Sequence, residues 1–136
     1  MKKFIAIVCA LILTTVSVTG LAAEARASEY FHSYSIGITP RSGGTLTVRF
    51  STTAVKESSQ LGVSSFQLQK KVDGVYVDVG EMQTGSIGHD VVEHTFTRSC
   101  TAIPGDLYRV EAVFVCENDV GYKTQQVYSG STYAIE

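Results

Sequence analysis

The densest group of chemically capable side chains in this 136-residue sequence is His89-Asp90-Val91-Val92-Glu93-His94. Two imidazoles and two carboxylates so close together are the raw material of a zinc site. The spacing, however, is His, three residues, Glu, His, which matches neither His-Glu-x-x-His nor His-x-x-Glu-His, and both of those patterns need a helix to gather their ligands. On a strand, Glu93 and His94 point to opposite faces. The expectation is a loop running into a strand with a half-buried histidine, and no metal. The carboxylates over 73–81 and 117–119 lack the alternating oxygen ligands and central glycine of a calcium loop, and read as turn residues.

Nucleophilic chemistry finds equally little support. Serines are plentiful and there are three histidines, but no Gly-x-Ser-x-Gly elbow and no cysteine-nucleophile context is present. Gly43-Gly44 precedes a strand-like run, so it lacks the helix that a phosphate-cradling loop requires. No enzyme and no cofactor are expected. The tyrosines carry more promise: Tyr30, Tyr34, Tyr76, Tyr122, Tyr128 and Tyr133 all lie outside the one that reads as structural, Tyr108. Tyr122, Thr124, Gln126 and Tyr128 share one parity on the last strand and form a candidate strip for a protein or a polysaccharide, since amphipathic rings suit binding surfaces. The absence of tryptophan weakens the sugar version of that strip.

These residues must be positioned by strands. The stretch Pro104-Gly105-Asp106-Leu107-Tyr108 enters a run in which Tyr108, Val110, Ala112, Phe114 and Cys116 recur at period two, which predicts one long central strand entered by a tight turn. Before it, Tyr30, His32, Tyr34, Ile36 and Ile38 are expected on the inward parity of a first strand, with a turn over 40–44. Leu46, Val48 and Phe50 form the inward face of a second strand, with Thr45, Thr47, Arg49 and Ser51 outward. A polar loop is expected over 56–60, closed by Leu61-Gly62, and then Phe66 and Leu68 alternate with Gln67, Gln69 and Lys71. Val72-Asp73-Gly74-Val75 is a strong hairpin signal, because Asp-Gly accepts positive φ at both turn positions. The return strand should run over 76–82, and a mobile crossover is expected over 83–90. Val92, His94 and Phe96 begin another strand, and the last spans 122–129. Seven strands result, with no helical period, internal repeat or low-complexity linker among them; the tail over 130–136 is expected to fray or to extend the last strand.

The amino-terminal segment has a different character. Lys2 and Lys3 precede an apolar run from Phe4 to about Ala23, followed by Ala23-Glu24-Ala25 and Ala25-Arg26-Ala27. This is the pattern of a secretory signal peptide, expected to be cut after Ala27, which leaves a single domain over 28–136 and a secreted protein. No sorting motif or second apolar segment follows, so no anchoring after export is expected. Removal of Lys2, Lys3, Arg26 and Glu24 takes the 11 Lys and Arg against 13 Asp and Glu to eight against twelve. Nucleic acid and anionic membrane are poor partners for such a chain. A domain of this size buries roughly two thirds of its unfolded surface and needs no metal or disulfide to fold.

The remaining cysteines, Cys100 and Cys116, suggest a disulfide by their even number in an exported chain. Geometry argues against it. The strand running from Leu107 to Cys116 spans about 30 Å, with Cys100 near its start, whereas bridged α-carbons stand about 4.4–6.8 Å apart. Two small buried hydrophobes are expected instead.

The strand order, the Asp73-Gly74 hairpin and the Gly105, Tyr108 corner resemble the immunoglobulin and fibronectin type III superfold over 30–129. More narrowly, Tyr30-Phe31, the Gly43-Gly44 turn, Leu61-Gly62 and Lys70-Lys71 leading into Asp73-Gly74 look like a family of small, uncharacterised, exported bacterial sandwich proteins. The resemblance implies an antiparallel β-sandwich and export, and no catalytic or binding residues. The inter-sheet disulfide and tryptophan of antibody-type domains have no counterpart here, and Phe66 is expected to fill the tryptophan's place. Two functions are compatible with this reading: an exported non-catalytic interaction module at the cell envelope, or a freely released effector such as a small toxin or inhibitor.

Overall fold

The computed structural model describes residues 29–136; the signal peptide expected over 1–27 lies outside the described residues. Those residues form β1 (Phe31–Arg41), β2 (Thr45–Ser58), β3 (Gln60–Val72), β4 (Val75–Thr84), β5 (Ile87–Gly88), β6 (Val91–Thr101), β7 (Leu107–Asn118), β8 (Gly121–Tyr128) and β9 (Thr132–Tyr133). The described residues are all-β, and their strand pairings are all antiparallel. One sheet has the order β1-β2-β6. The other follows β4-β3-β7-β8, with β5 added beside β3 and β9 beside β7.

Period-two alternation decides which side chains meet between the sheets. Leu46, Val48 and Phe50 of β2 face Phe66 and Leu68 of β3 and Val110, Ala112 and Phe114 of β7 in a single buried core. Each fully buried Leu, Val or Phe contributes about 1.5–3 kcal/mol. Phe50 stacks on its register partner Phe96 at 4.7 Å and meets Phe66 of the opposite sheet at 4.9 Å. Phe66 therefore supplies one aromatic bridge between sheets, and Tyr34 with Phe114 at 5.5 Å supplies another.

Two turns are built as their residues dictate. Asp73 (φ 52) and Gly74 (φ 83) both sit in the left-handed region between the facing pair Val72 and Val75, the backbone that a two-residue hairpin needs. At the entry to β7, Gly105 has φ 92, and the buried Tyr108 hydroxyl accepts a hydrogen bond from the Ile103 backbone N–H at 2.8 Å. That bond ties the incoming turn to the central strand.

The structure corrects the expected boundaries in five places. A bulge between Phe31 and Ser33 reverses the start of β1, so Phe31 is buried and His32 is exposed; Phe31 then packs edge-on against Tyr34 at 5.4 Å. The 56–60 loop does not exist: β2 continues to Ser58 and β3 begins at Gln60. The chain thus passes from one sheet to the other at Ser59. Leu61-Gly62 lies within β3, and Gly62 is required because a Cβ there would stand 2.2 Å from the Ser86 carbonyl. The 83–90 segment is not a free crossover. It is fastened to β3 by Val63 N–H to Ser86 O (2.9 Å) and Gly85 N–H to Ser64 O (3.1 Å), with no room for a side chain at Gly85. In β6, Val92 is exposed and Val91 packs on the core instead. The tail is also held: β9 pairs with β7, Ala134 is buried, and the Ala134 carbonyl accepts from Gly105 N–H at 2.9 Å.

Candidate interaction face

The strip read from the sequence lies together on β8. Tyr122, Thr124, Gln126 and Tyr128 all face away from the core, and the two tyrosines are 54% and 49% exposed. Register sets what lies beside them: Glu117 opposes Tyr122, Val115 opposes Thr124, Val113 opposes Gln126 and Glu111 opposes Tyr128. Directly opposed residues on a sheet stand about 4.5–5.5 Å apart, so long side chains on neighbouring strands must touch. The strip is the margin of a wider face that continues across β7, β3 and β4.

The centre of that face is Arg109. Its guanidinium carbon lies 3.9 Å from the ring centroid of Tyr76 and 4.3 Å from that of Tyr128, so the cation is clamped between two aromatic faces. Its Nε donates to Gln69 Oε1 at 2.8 Å. The Gln69 amide nitrogen donates in turn to Asp78 Oδ1 and to Glu111 Oε2, both at 3.0 Å. Gln126 donates to the other Glu111 carboxylate oxygen and, at 3.4 Å, to the Tyr128 hydroxyl. The Tyr76 and Ser131 hydroxyls share a hydrogen bond. Gln69 thus links the cation to the two carboxylates, which accept from its amide nitrogen while Arg109 donates to its amide oxygen, and the two rings hold the guanidinium between their faces.

One glutamine explains the edge of the face. Gln67, only 4% exposed, donates to the Val79 and Gly80 carbonyls at 3.0 and 3.3 Å. It occupies a break in the β3–β4 ladder, where Phe66 pairs with Gln83 and Leu68 with Val79. The side chain replaces backbone bonds that the bulge removes.

The residues that could have carried other chemistry are placed apart from this face. His94 is half-buried, with Nε2 2.9 Å from Ser86 Oγ, while His89 Nδ1 meets the Ser59 carbonyl at 3.3 Å. Glu93 is exposed, opposite Thr53. Burial, and then the neighbouring His89, hold His94 below its ordinary value of 6.5. Among the described residues no three metal-capable side chains converge. Cys100 and Cys116 are free thiols on different sheets. Burial pushes both thiols up, with the Ser58 hydrogen bond partly opposing this at Cys116, so little of the reactive thiolate forms at neutral pH.

The sequence shows the shared parity of Tyr122, Thr124, Gln126 and Tyr128 along β8 but not the neighbouring cluster of Arg109, Gln69, Glu111, Asp78 and Tyr76. The sequence held the signal for one pair of strands. Once Asp73-Gly74 fixes Val72 opposite Val75, counting back places Lys71 opposite Tyr76 and Gln69 opposite Asp78. That Arg109 and Glu111 meet those groups follows only from the placement of β7 beside β3.

No family model matches the chain, and no curated protein matches it. Among solved structures the chain is similar to a protein from Archaeoglobus fulgidus, with 10% identity and a TM-score of 0.42 over 76% of this chain and 97% of that one. It is also similar to a Bordetella pertussis protein provisionally assigned the name ApaA, with 11% identity and a TM-score of 0.43 over 79% of this chain and 96% of that one.

Proposed function

We propose that this protein is an exported, non-catalytic interaction module with an immunoglobulin or fibronectin type III-like sandwich, and that it binds a protein or polysaccharide at the cell envelope through the outer face of its six-stranded sheet. The sandwich reading is supported by the division of strands, β1-β2-β6 against β4-β3-β7-β8, and by the Tyr108 hydroxyl bonded to Ile103 N–H. Placement of β4 beside β3 departs from the antibody constant arrangement, in which the fourth strand joins the first two. Export is supported by the pattern of the first 27 residues.

The observation that carries the functional reading is the Arg109 clamp between Tyr76 and Tyr128. Tyrosine and arginine dominate the energetics of protein interfaces. Ordering a mobile side chain on binding costs about 0.5–1.5 kcal/mol, and here the rings and the guanidinium are ordered beforehand. Tyr122 and Tyr128 remain exposed to a partner.

The test is sedimentation of the exported protein with envelope material from its own producer, at low and at high salt. Saturable pelleting is expected, with Tyr122→Ala and Tyr128→Ala each weakening it about tenfold, equivalent to about 1.4 kcal/mol. Absence of saturable pelleting, or variants that bind as well as the parent, would overturn the reading.

A further inference from the structure

The sheets do not close on each other all the way round. Where β4 and β6, edge strands of the two sheets, run past each other, a cleft of about 340 Å³ opens. Its lining includes Phe66 and Leu68 of the core, Val79 and Glu81 of β4, and Arg98 and Cys100 of β6. The cleft has a local cause. Phe66 and Leu68, two residues apart on β3, pair with Gln83 and Val79, four apart on β4. The residues between leave the ladder, Gly80 turns through φ 68, and Gln67 satisfies the carbonyls so released.

Arg98 is out of place by its pattern. It follows His94 and Phe96 on the core-facing parity of β6 and precedes Cys100. Its guanidinium lies 4.9 Å from the Phe96 ring centroid, and its hydrogen bond is a 3.3 Å contact with the adjacent Thr97 carbonyl. The ion pairs among the described residues are Lys56 with Asp119 and Lys70 with Asp106; neither Arg98 nor Glu81 belongs to one. An inward charge on an edge strand guards against unwanted strand pairing. That accounts for Arg98 alone, but not for an acid on the facing wall and an apolar floor between the two.

We propose that this cleft binds a small zwitterion with an apolar body, the chemistry of an apolar amino acid or short dipeptide. The carboxylate meets Arg98, whose planar fork matches it. The ammonium meets Glu81, and the apolar body covers Phe66, Leu68 and Val79. The volume lies near the lower bound of ligand pockets, about 300 Å³, which favours a ligand of this size. The site shares strands β3 and β4 with the Arg109 face, but none of the residues of the clamp.

Cys100 provides the readout, because it lines the cleft, whereas Cys116 is fully buried and serves as the internal control. The purified protein is alkylated in the presence of leucine, phenylalanine or dileucine, and modification at each cysteine is followed by peptide mass mapping. Saturable protection of Cys100 is expected from one or more of the three. N-acetyl-leucine and leucinamide, each lacking one charge, should protect at least about tenfold more weakly. Arg98→Gln and Glu81→Gln should each weaken protection by a similar factor, with the urea midpoint of each variant confirming that it is folded. Lack of protection by any zwitterion at millimolar concentration would overturn the proposal. So would equal protection by the blocked forms, or an Arg98→Gln variant whose only change is self-association. Each of these outcomes leaves the envelope-pelleting result untouched.

Discussion

On the outer face of the three-stranded sheet the side chains are short and hydroxylated: Ser33, Ser35 and Thr39 on β1, Thr45, Thr47, Ser51 and Thr53 on β2, Thr95, Thr97, Ser99 and Thr101 on β6. On the outer face of the six-stranded sheet they are long: Tyr76, Asp78, Gln67, Gln69, Arg109, Glu111, Gln126 and Tyr128. Both faces obey the same period-two rule. The hydroxyls of the first make few bonds beyond Ser51 with Thr95 at 3.1 Å, and all these residues stay at least partly exposed. The side chains of the second reach across strands, and Gln69 falls to 8% exposure although it points outward. Alternation therefore says which way a side chain points. Its length decides whether an outward face remains a wet surface or becomes a second packed layer. β-branched hydroxyls favour the strand itself, whereas the long polar residues add cross-strand pairs worth about 0.2–1 kcal/mol each.

Substitutions can break this contrast. Arg109→Ala should have the largest effect, a loss of about 2–3 kcal/mol by urea denaturation, because it removes a charged hydrogen bond, leaves Gln69 Oε1 without its donor and takes the cation from between the Tyr76 and Tyr128 rings. A loss below about 0.5 kcal/mol would mean that the outer face is decoration on a fold made elsewhere. Tyr108→Phe provides the yardstick from the opposite side of the same strand. It should cost about 1 kcal/mol or more by removing the acceptor of Ile103 N–H, and an unchanged midpoint would remove the corner from this account.

Gln69→Leu should cost about 1 kcal/mol, since Asp78, Glu111 and Arg109 all lose a partner. Equal stability would show that water replaces the amide. The seam between the sheets adds a pH term. His94 is held below its ordinary 6.5 by burial and then by His89, so the unfolded chain takes up this proton more readily than the folded one. That contribution is complete above pH 6.5 and is lost as pH falls below it. Comparison of urea midpoints at about pH 7.5 and about pH 5.5 should show a decline that His94→Gln reduces; an identical decline in the variant would place the titration elsewhere. The smallest effect belongs to Arg49→Ala. Arg49 is exposed at the centre of the hydroxyl face, and the change should stay within about 0.5 kcal/mol, which makes it the control for Arg109.

Legibility followed the range of the interaction. The hairpin at Asp73-Gly74 and the inward faces of β2 and β7 were readable because each depends on residues within a few positions of one another. The bulge at Phe31, the sheet change at Ser59 and the fastening of 83–90 onto β3 were not. Each of these has a partner on another strand: Ala54 and Thr53 opposite β1, Glu117 of β7 accepting from the Ser59 hydroxyl, and Gly62 beneath the Ser86 carbonyl. Of the outer face, the Tyr122-to-Tyr128 strip was visible as parity along one strand. The Arg109 clamp draws its rings from strands on either side, with Tyr76 and Tyr128 separated by 52 positions.

What the sequence by itself determined was the all-β character, the polarity of each long strand and the two turns whose residues accept positive φ or cap an entry. These are properties of backbone sterics and of alternation, and they need no distant partner. What only the tertiary structure decided was which outward side chains meet. Strand order placed β7 between β3 and β8, and that placement let Gln69, Arg109, Glu111 and Tyr128 satisfy one another. It also left β4 and β6 as facing edges with Glu81 and Arg98 across an apolar floor. Contacts of this kind depend on the order in which strands lie side by side, and a period along one strand carries no record of its neighbours.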